Sequence, residues 1–196
     1  NVEARSCPLS AFQLFNRKIG ICGGPSAGKS ETAKAISHKL NTEFAANSFY
    51  VTEFATTFIQ KYRRQPNFHD QPFIWFGQRE REKDAETANV VISDCPTFLS
   101  YIYMLLANKE PLSPETALHL SKIYKRILFD LQSYTDIILL KLQDYQENRV
   151  RFHNKEQSLS IQNRIQVFLD DHKVKYQFRT YAEIDAIINE LFFINE

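Results

Sequence analysis

Gly23-Gly24-Pro25-Ser26-Ala27-Gly28-Lys29-Ser30 fits the pattern G-x-x-x-x-G-K-[ST], a loop that wraps a phosphate. Its surroundings suit that reading. Lys18-Ile19-Gly20-Ile21-Cys22 before it reads as a short buried strand, and Glu31 to Leu40 after it as a helix with Ala33, Ile36 and Leu40 at helical spacing. Glycines let the backbone turn its N–H groups inward, and a helix N-terminus adds a favourable dipole. Lys29 then reaches β- and γ-phosphates, and the Ser30 hydroxyl suits Mg²⁺. Glu31 opens the helix beside them. The stretch is read as a nucleoside triphosphate site, with residues 23–31 as the binding segment.

The rest of the chain alternates strands and helices, the pattern of a parallel sheet covered on both faces. Further strands are expected at 48–52, 89–93, 136–142 and 174–179. Helices are expected at 53–62, 73–87 and 97–107, then from Ser113-Pro114, around Ile161–Leu169, and after Thr180. Pro66 and Pro72 bracket a loop, and 144–157 is polar and without a period. Ser113 is an N-cap with Pro114 at the first helical position, and Thr180-Tyr181-Ala182-Glu183 is a capping box. The fold class is α/β: a phosphate-loop NTPase three-layer fold with a central, mostly parallel sheet of about five strands. Residues 1–16 are a lead-in and 17–196 one domain, a size that buries a sizeable core.

Composition narrows the partners. With a net charge of +1 on 196 residues, nothing points to nucleic acid or an anionic membrane. Cys7, Cys22 and Cys95 give neither a disulfide framework nor a zinc site. No apolar run approaches membrane-spanning length, and no secretory signal opens the chain. An ATP-using chain with reduced thiols is expected in the cytoplasm. Its first residue is Asn1 and its one methionine is Met104, which leaves room for an upstream domain or a homo-oligomer.

In open α/β sheets ligands bind outside the carboxyl ends of the strands. Glu53 follows the second expected strand and Asp94 the third. Arg149 and Arg151 follow the fourth, with Arg164 on the next helix. Asp94 would hold Mg²⁺ through water or meet the acceptor, against the ordinary alternative of a helix-capping aspartate before Pro96. Glu53 would accept a proton from an acceptor hydroxyl; otherwise it is an acid favoured near a helix N-terminus. The arginines would close over the phosphates, as arginine's fork allows, or simply decorate a surface loop. Gln78 and Glu82 lie four apart on one helix face, and most of Arg79 to Asp84 reads as a solvated, salt-bridged helix; Trp75 and Phe76 read as core in preference to stacking on a flat ring. Asn154-Lys155-Glu156-Gln157 lacks the aspartate of the guanine motif N-K-x-D, and neither D-x-x-G nor a transporter signature is present. A small-molecule kinase gains by elimination.

These pieces together resemble the nicotinamide riboside kinase domain of bacterial NadR-type proteins and related phosphate-loop ATPases. They are the phosphate loop, Val51-Thr52-Glu53-Phe54-Ala55, Gln78 to Glu82, Val91-Ile92-Ser93-Asp94, and Arg149-Val150-Arg151-Phe152, in the same order. The resemblance implies ATP and Mg²⁺, and transfer of the γ-phosphoryl group to the 5′-hydroxyl of a riboside. It gives Glu53 and Asp94 acceptor or metal roles and Arg151 a lid role. Two departures fall on the acceptor side. Thr56 stands where the family's E-Y-A-R has arginine, and Arg149-Val150 replaces the D-G before the lid arginine. The reading is therefore an ATP-dependent kinase of a small nucleoside-like acceptor, nicotinamide riboside leading. Another nucleoside or nucleoside monophosphate kinase, and a nucleotide-sensing regulatory ATPase module, are the alternatives.

Overall fold

Seven residues, Arg17–Gly23, apolar or glycine from Ile19 onward, open the sheet as β1, and every later strand joins the sheet in parallel. The computed structural model describes residues 16–108, 111–143 and 154–193. Along the chain β1 is followed by α1 (Lys29–Glu43), β2 (Ser48–Val51), α2 (Phe54–Tyr62) and α3 (Gln71–Asp84). Then come β3 (Val90–Ser93), α4 (Leu99–Ala107), α5 (Pro114–Leu131), β4 (Asp136–Leu140), α6 (Lys155–Asp171), β5 (Gln177–Arg179) and α7 (Ile184–Phe192). The strand order β2-β3-β1-β4-β5 puts the loop-bearing strand at the centre. The expectation of a mostly parallel sheet sharpens to an all-parallel one among the described residues.

Alternation along β1 and β4 divides the core into two layers. Ile19, Ile21, Ile138 and Leu140 pack on one face with α1 and α7. Cys22, Ile137 and Leu139 pack on the other with α3, α4, α5 and α6. Both faces are covered, which is why the central strands read as near-continuous apolar runs.

Several boundaries move for local reasons. Pro72 is not in a loop; it occupies the first turn of α3, where its missing N–H costs nothing. Residues 155–157 are helical, because Asn154 and Gln157 form a reciprocal capping box: Gln157 N–H donates to Asn154 Oδ1 at 2.8 Å, and Asn154 N–H to Gln157 Oε1 at 2.9 Å. The residues that resembled a guanine motif are thus a helix start. Residues 174–176 fall outside β5. Thr180 to Glu183 is a turn, not the expected helix cap. The Glu183 carboxylate accepts from Thr180 N–H and Oγ1, and α7 starts only at Ile184. Ser113 caps α5 as read, accepting from Thr116 N–H at 3.1 Å. Cys7 lies outside the described residues.

Candidate functional site

The loop between β1 and α1 owes its shape to backbone that few residues adopt. Gly28 caps α1 at φ 83°, accepting the Thr32 N–H through its carbonyl at 2.9 Å, so the helix begins two residues earlier than its apolar spacing suggested. Ser26 holds a left-handed φ of 74° without being glycine, a local strain of the kind that collects at binding loops. Gly24 is required by close approach. A Cβ there would lie 2.4 Å from the Ser158 carbonyl oxygen, so α6 crosses directly over the loop. The Lys29 ammonium spans it, donating to the Gly23 and Gly24 carbonyls at 3.2 Å each. Pro25 is half-buried, Ala27 buried under α1, and Glu31 exposed on the first helical turn.

Asp94 follows β3 and meets this loop. Ser30 Oγ donates to Asp94 Oδ2 at 2.7 Å, and the Tyr50 phenol donates to the same oxygen at 2.6 Å. The residue is only 2% exposed. Burial pushes its carboxyl above the usual value and the nearby Glu53 charge adds to the rise, while the two hydrogen bonds and Lys29 oppose it. Oδ1 is buried and has no partner among the described residues; Ser26 Oγ is in the same condition. A buried carboxylate oxygen left unpaired is costly unless a ligand satisfies it. A hydroxyl and a carboxylate at this spacing are the hard oxygen donors that Mg²⁺ prefers when phosphates and water supply the remainder. Among the described residues no group of three His, Cys, Asp or Glu forms a cage of its own. The residues fit such a shared ion.

Glu53 is half-buried at the start of α2, with its Oε2 accepting from Thr56 Oγ1 at 2.9 Å. The residue that departs from the resembled pattern therefore touches the carboxylate directly. Its turn is held from α3. The Phe54 N–H donates to Gln78 Oε1 at 2.7 Å, and Arg81 donates to the Thr52 and Glu53 carbonyls at 3.3 Å each. The Arg81 guanidinium also lies 4.9 Å from the Phe54 ring centroid.

The expectation of a solvated, salt-bridged run holds at exposed Lys83 and Asp84 and at the ion-paired Arg79, and fails at Glu82. Gln78 and Glu82 are buried, Glu82 fully so. Gln78 Nε2 donates to Ser93 Oγ at 3.1 Å, and Ser93 Oγ donates to Glu82 Oε1 at 2.7 Å. The Tyr134 hydroxyl donates to both Glu82 oxygens at 2.8 Å, and Lys18 pairs with Oε2 at 2.8 Å. The chain of bonds runs from the Glu53 turn to the residue before Asp94 and on to β1. Gln71, Trp75, Gln78, Glu82 and Ala85 fall at helical spacing, so the stripe itself was the signal. Trp75 is core as expected, with its indole N–H on Asp130 at 2.9 Å, but Phe76 is 51% exposed.

The basic side is less complete. Arg149, Arg151 and His153 lie outside the described residues. Arg164 is exposed on the outward face of α6, in a groove with Tyr101 and Tyr124, while Ser158 and Gln162 of the same helix turn inward. It is not gathered with the loop. Tyr181, expected only as part of the Thr180–Glu183 helix cap, packs against Gly28, where an added Cβ would meet the Tyr181 Cβ at 2.8 Å, and stays 46% exposed.

A family model described as an AAA domain matches residues 18–179. The chain belongs to that AAA-domain family. No curated relative matches its sequence. Among solved structures it is similar to a NadR protein in complex with NR, at TM-score 0.73 and 15% identity over 94% of this chain and 54% of that one. It is similar to a NadR protein in complex with NAD and AMP-PNP, at TM-score 0.70 and 14% identity over 94% and 52%. A deoxyadenosine kinase from M. mycoides with bound dATP matches at TM-score 0.59 and 18% identity, over 89% of this chain and 98% of that one. The chain spans about half the length of the NadR chains it matches. At such identities the likeness establishes the fold, that of phosphate-loop NTPases.

Proposed function

We propose that this AAA-domain chain is an ATP-dependent kinase of a small nucleoside-like acceptor, with nicotinamide riboside the leading candidate. The observation that carries it is Asp94, buried with one unpaired oxygen and hydrogen-bonded to Ser30 beside the Lys29 loop. Support comes from the fold shared with NadR structures holding NR or AMP-PNP and with a deoxyadenosine kinase. In this reading residues 17–196 are the kinase domain and the protein works in the cytoplasm, a reading supported by the free Cys22 and Cys95 together with ATP chemistry.

Lys29 turns from the loop carbonyls to the β- and γ-phosphates, whose lower oxygens the loop N–H groups receive. Ser30 and Asp94 would hold Mg²⁺, which when bound offsets charge on those phosphates. Glu53 orients the acceptor hydroxyl and takes its proton as that oxygen bonds to the γ-phosphorus and the bond to ADP breaks. Arg151, outside the described residues, takes the charge-offsetting lid role only through the resemblance to the NadR-type kinase domain. Such transfer is mostly positioning and charge stabilisation, so this set suffices.

The test is ADP release by purified protein with Mg-ATP, alone and with nicotinamide riboside. Strong stimulation, with the riboside monophosphate seen by mass spectrometry and lost in Lys29→Ala, is the expected result. Stimulation by deoxyadenosine instead would move the acceptor. Bound ATP with no acceptor in a broad nucleoside screen would replace the kinase by a nucleotide sensor.

A further inference from the structure

Tyr50 sits in the edge strand β2, whose alternation sends Ser48 and Tyr50 to the α1 face. Ser48 is fastened there by Ser37, their hydroxyls 2.9 Å apart. Two residues on, the Tyr50 phenol reaches beyond the end of β3 and donates to Asp94 Oδ2 at 2.6 Å. Lys34, one turn after Ser30 on α1, sets its ammonium 5.8 Å from the Tyr50 ring centroid. The ring is therefore gripped by strand and helix, with its hydroxyl aimed at one atom.

That atom already takes the Ser30 hydroxyl at 2.7 Å. A carboxylate held by one donor can still pivot about that bond. Two donors on the same oxygen, one from α1 and one from β2, fix its plane. Oδ1, buried and unpartnered among the described residues, is then the oxygen that the clamp leaves unused.

We propose that Tyr50 is a positioning residue for the divalent cation of the nucleotide: it anchors Asp94 through Oδ2 so that Oδ1 is presented to the cation or its water. This rests on the nucleotide-binding half of the proposed function and needs no acceptor. Partners of metal ligands that act in this way are worth about 10–100-fold in metal affinity.

The experiment measures binding of a fluorescent ATP analogue during a Mg²⁺ titration, and again in EDTA. Tyr50→Phe keeps the ring and removes the donor. The expected result is a rise of roughly 10–100-fold in the Mg²⁺ concentration giving half-maximal enhancement, with affinity in EDTA unchanged. Asp94→Asn sets the full loss, and adding Tyr50→Phe to it costs nothing further if Tyr50 acts through Asp94. An unchanged Mg²⁺ midpoint overturns the proposal. So does equal weakening with and without Mg²⁺, an additive double variant, or a lower midpoint, which would make the phenol a competitor of the cation. A protein that binds Mg-nucleotide in this way and phosphorylates nothing would sink the kinase reading while leaving Tyr50 its role. Wild-type protein that binds no Mg-nucleotide overturns both.

Discussion

Asp94 holds a carboxylate where the protein leaves almost no water, and only one of its two oxygens has partners among the described residues. Burial raises its native value, so the folded chain keeps the proton to higher pH than the unfolded chain. At acid pH both states are protonated and nothing is lost. As pH climbs from the ordinary carboxylate value through the raised native one, the unfolded state ionises first and Asp94 comes to oppose folding. The opposition is complete above that window. Asp94→Asn keeps an oxygen for Tyr50 and Ser30 and removes the charge. Denaturant unfolding without nucleotide should find the variant more stable than wild type at pH 7, with the gap shrinking in acid. A variant less stable than wild type at pH 7 would mean that the two hydrogen bonds outweigh the desolvated charge. Nothing in the sequence marked Tyr50 as Asp94's partner, because the two are 44 positions apart and meet only through sheet register.

At the scale of elements, the docking of α2 on α3 decides where Glu53 points. Gly77 makes it feasible: a Cβ there would lie 2.4–2.6 Å from three atoms of the Phe54 ring, a rigid group with Phe73 at its edge, 5.4 Å between centroids. Gly77→Ala must displace the Phe54 ring, and is expected to strain the turn that the Phe54 N–H bond to Gln78 holds. Overpacking of this kind costs about 1–3 kcal/mol. Thermal unfolding should fall accordingly, and acceptor-dependent ADP release should drop further than nucleotide affinity does. An intact turnover number would show that Glu53 does not depend on this contact. The α3 stripe was half legible. Trp75 read as core and is buried, but Gln78 and Glu82 continue its face with polar side chains, and the neighbouring Arg79, Glu80 and Arg81 made the run after it look solvated. Composition reports what a helix carries. Only the spacing reports which side is inside.

Across the whole molecule the legible parts were those with strong local chemistry. Gly23 to Ser30 fixed the first strand, loop and helix, and apolar runs such as Val90–Ser93 and Asp136–Leu140 fixed central strands. Strand order and the polar chain through Glu82 were not legible, since they join residues far apart in sequence. That long-range closure can be read through two thiols. Cys22 in β1 and Cys95 just after β3 are buried on the same side of the sheet, and burial pushes the Cys22 thiol up to about 12. Neither forms appreciable thiolate at neutral pH while folded, so labelling by a thiol reagent waits for the sheet to open. A ligand that binds only the closed form slows this opening by a factor of 1 + [L]/Kd. In a Cys7→Ser background, Mg-ATP at a hundred times its Kd should slow labelling of both thiols by about 100-fold, or about 2.7 kcal/mol. Lys29→Ala, with the loop's main phosphate contact gone, should label at the nucleotide-free rate under the same Mg-ATP. Protection of Cys95 but not Cys22 would show that Cys22 is reached by an opening that leaves the nucleotide site intact, so that the two thiols do not report one long-range closure.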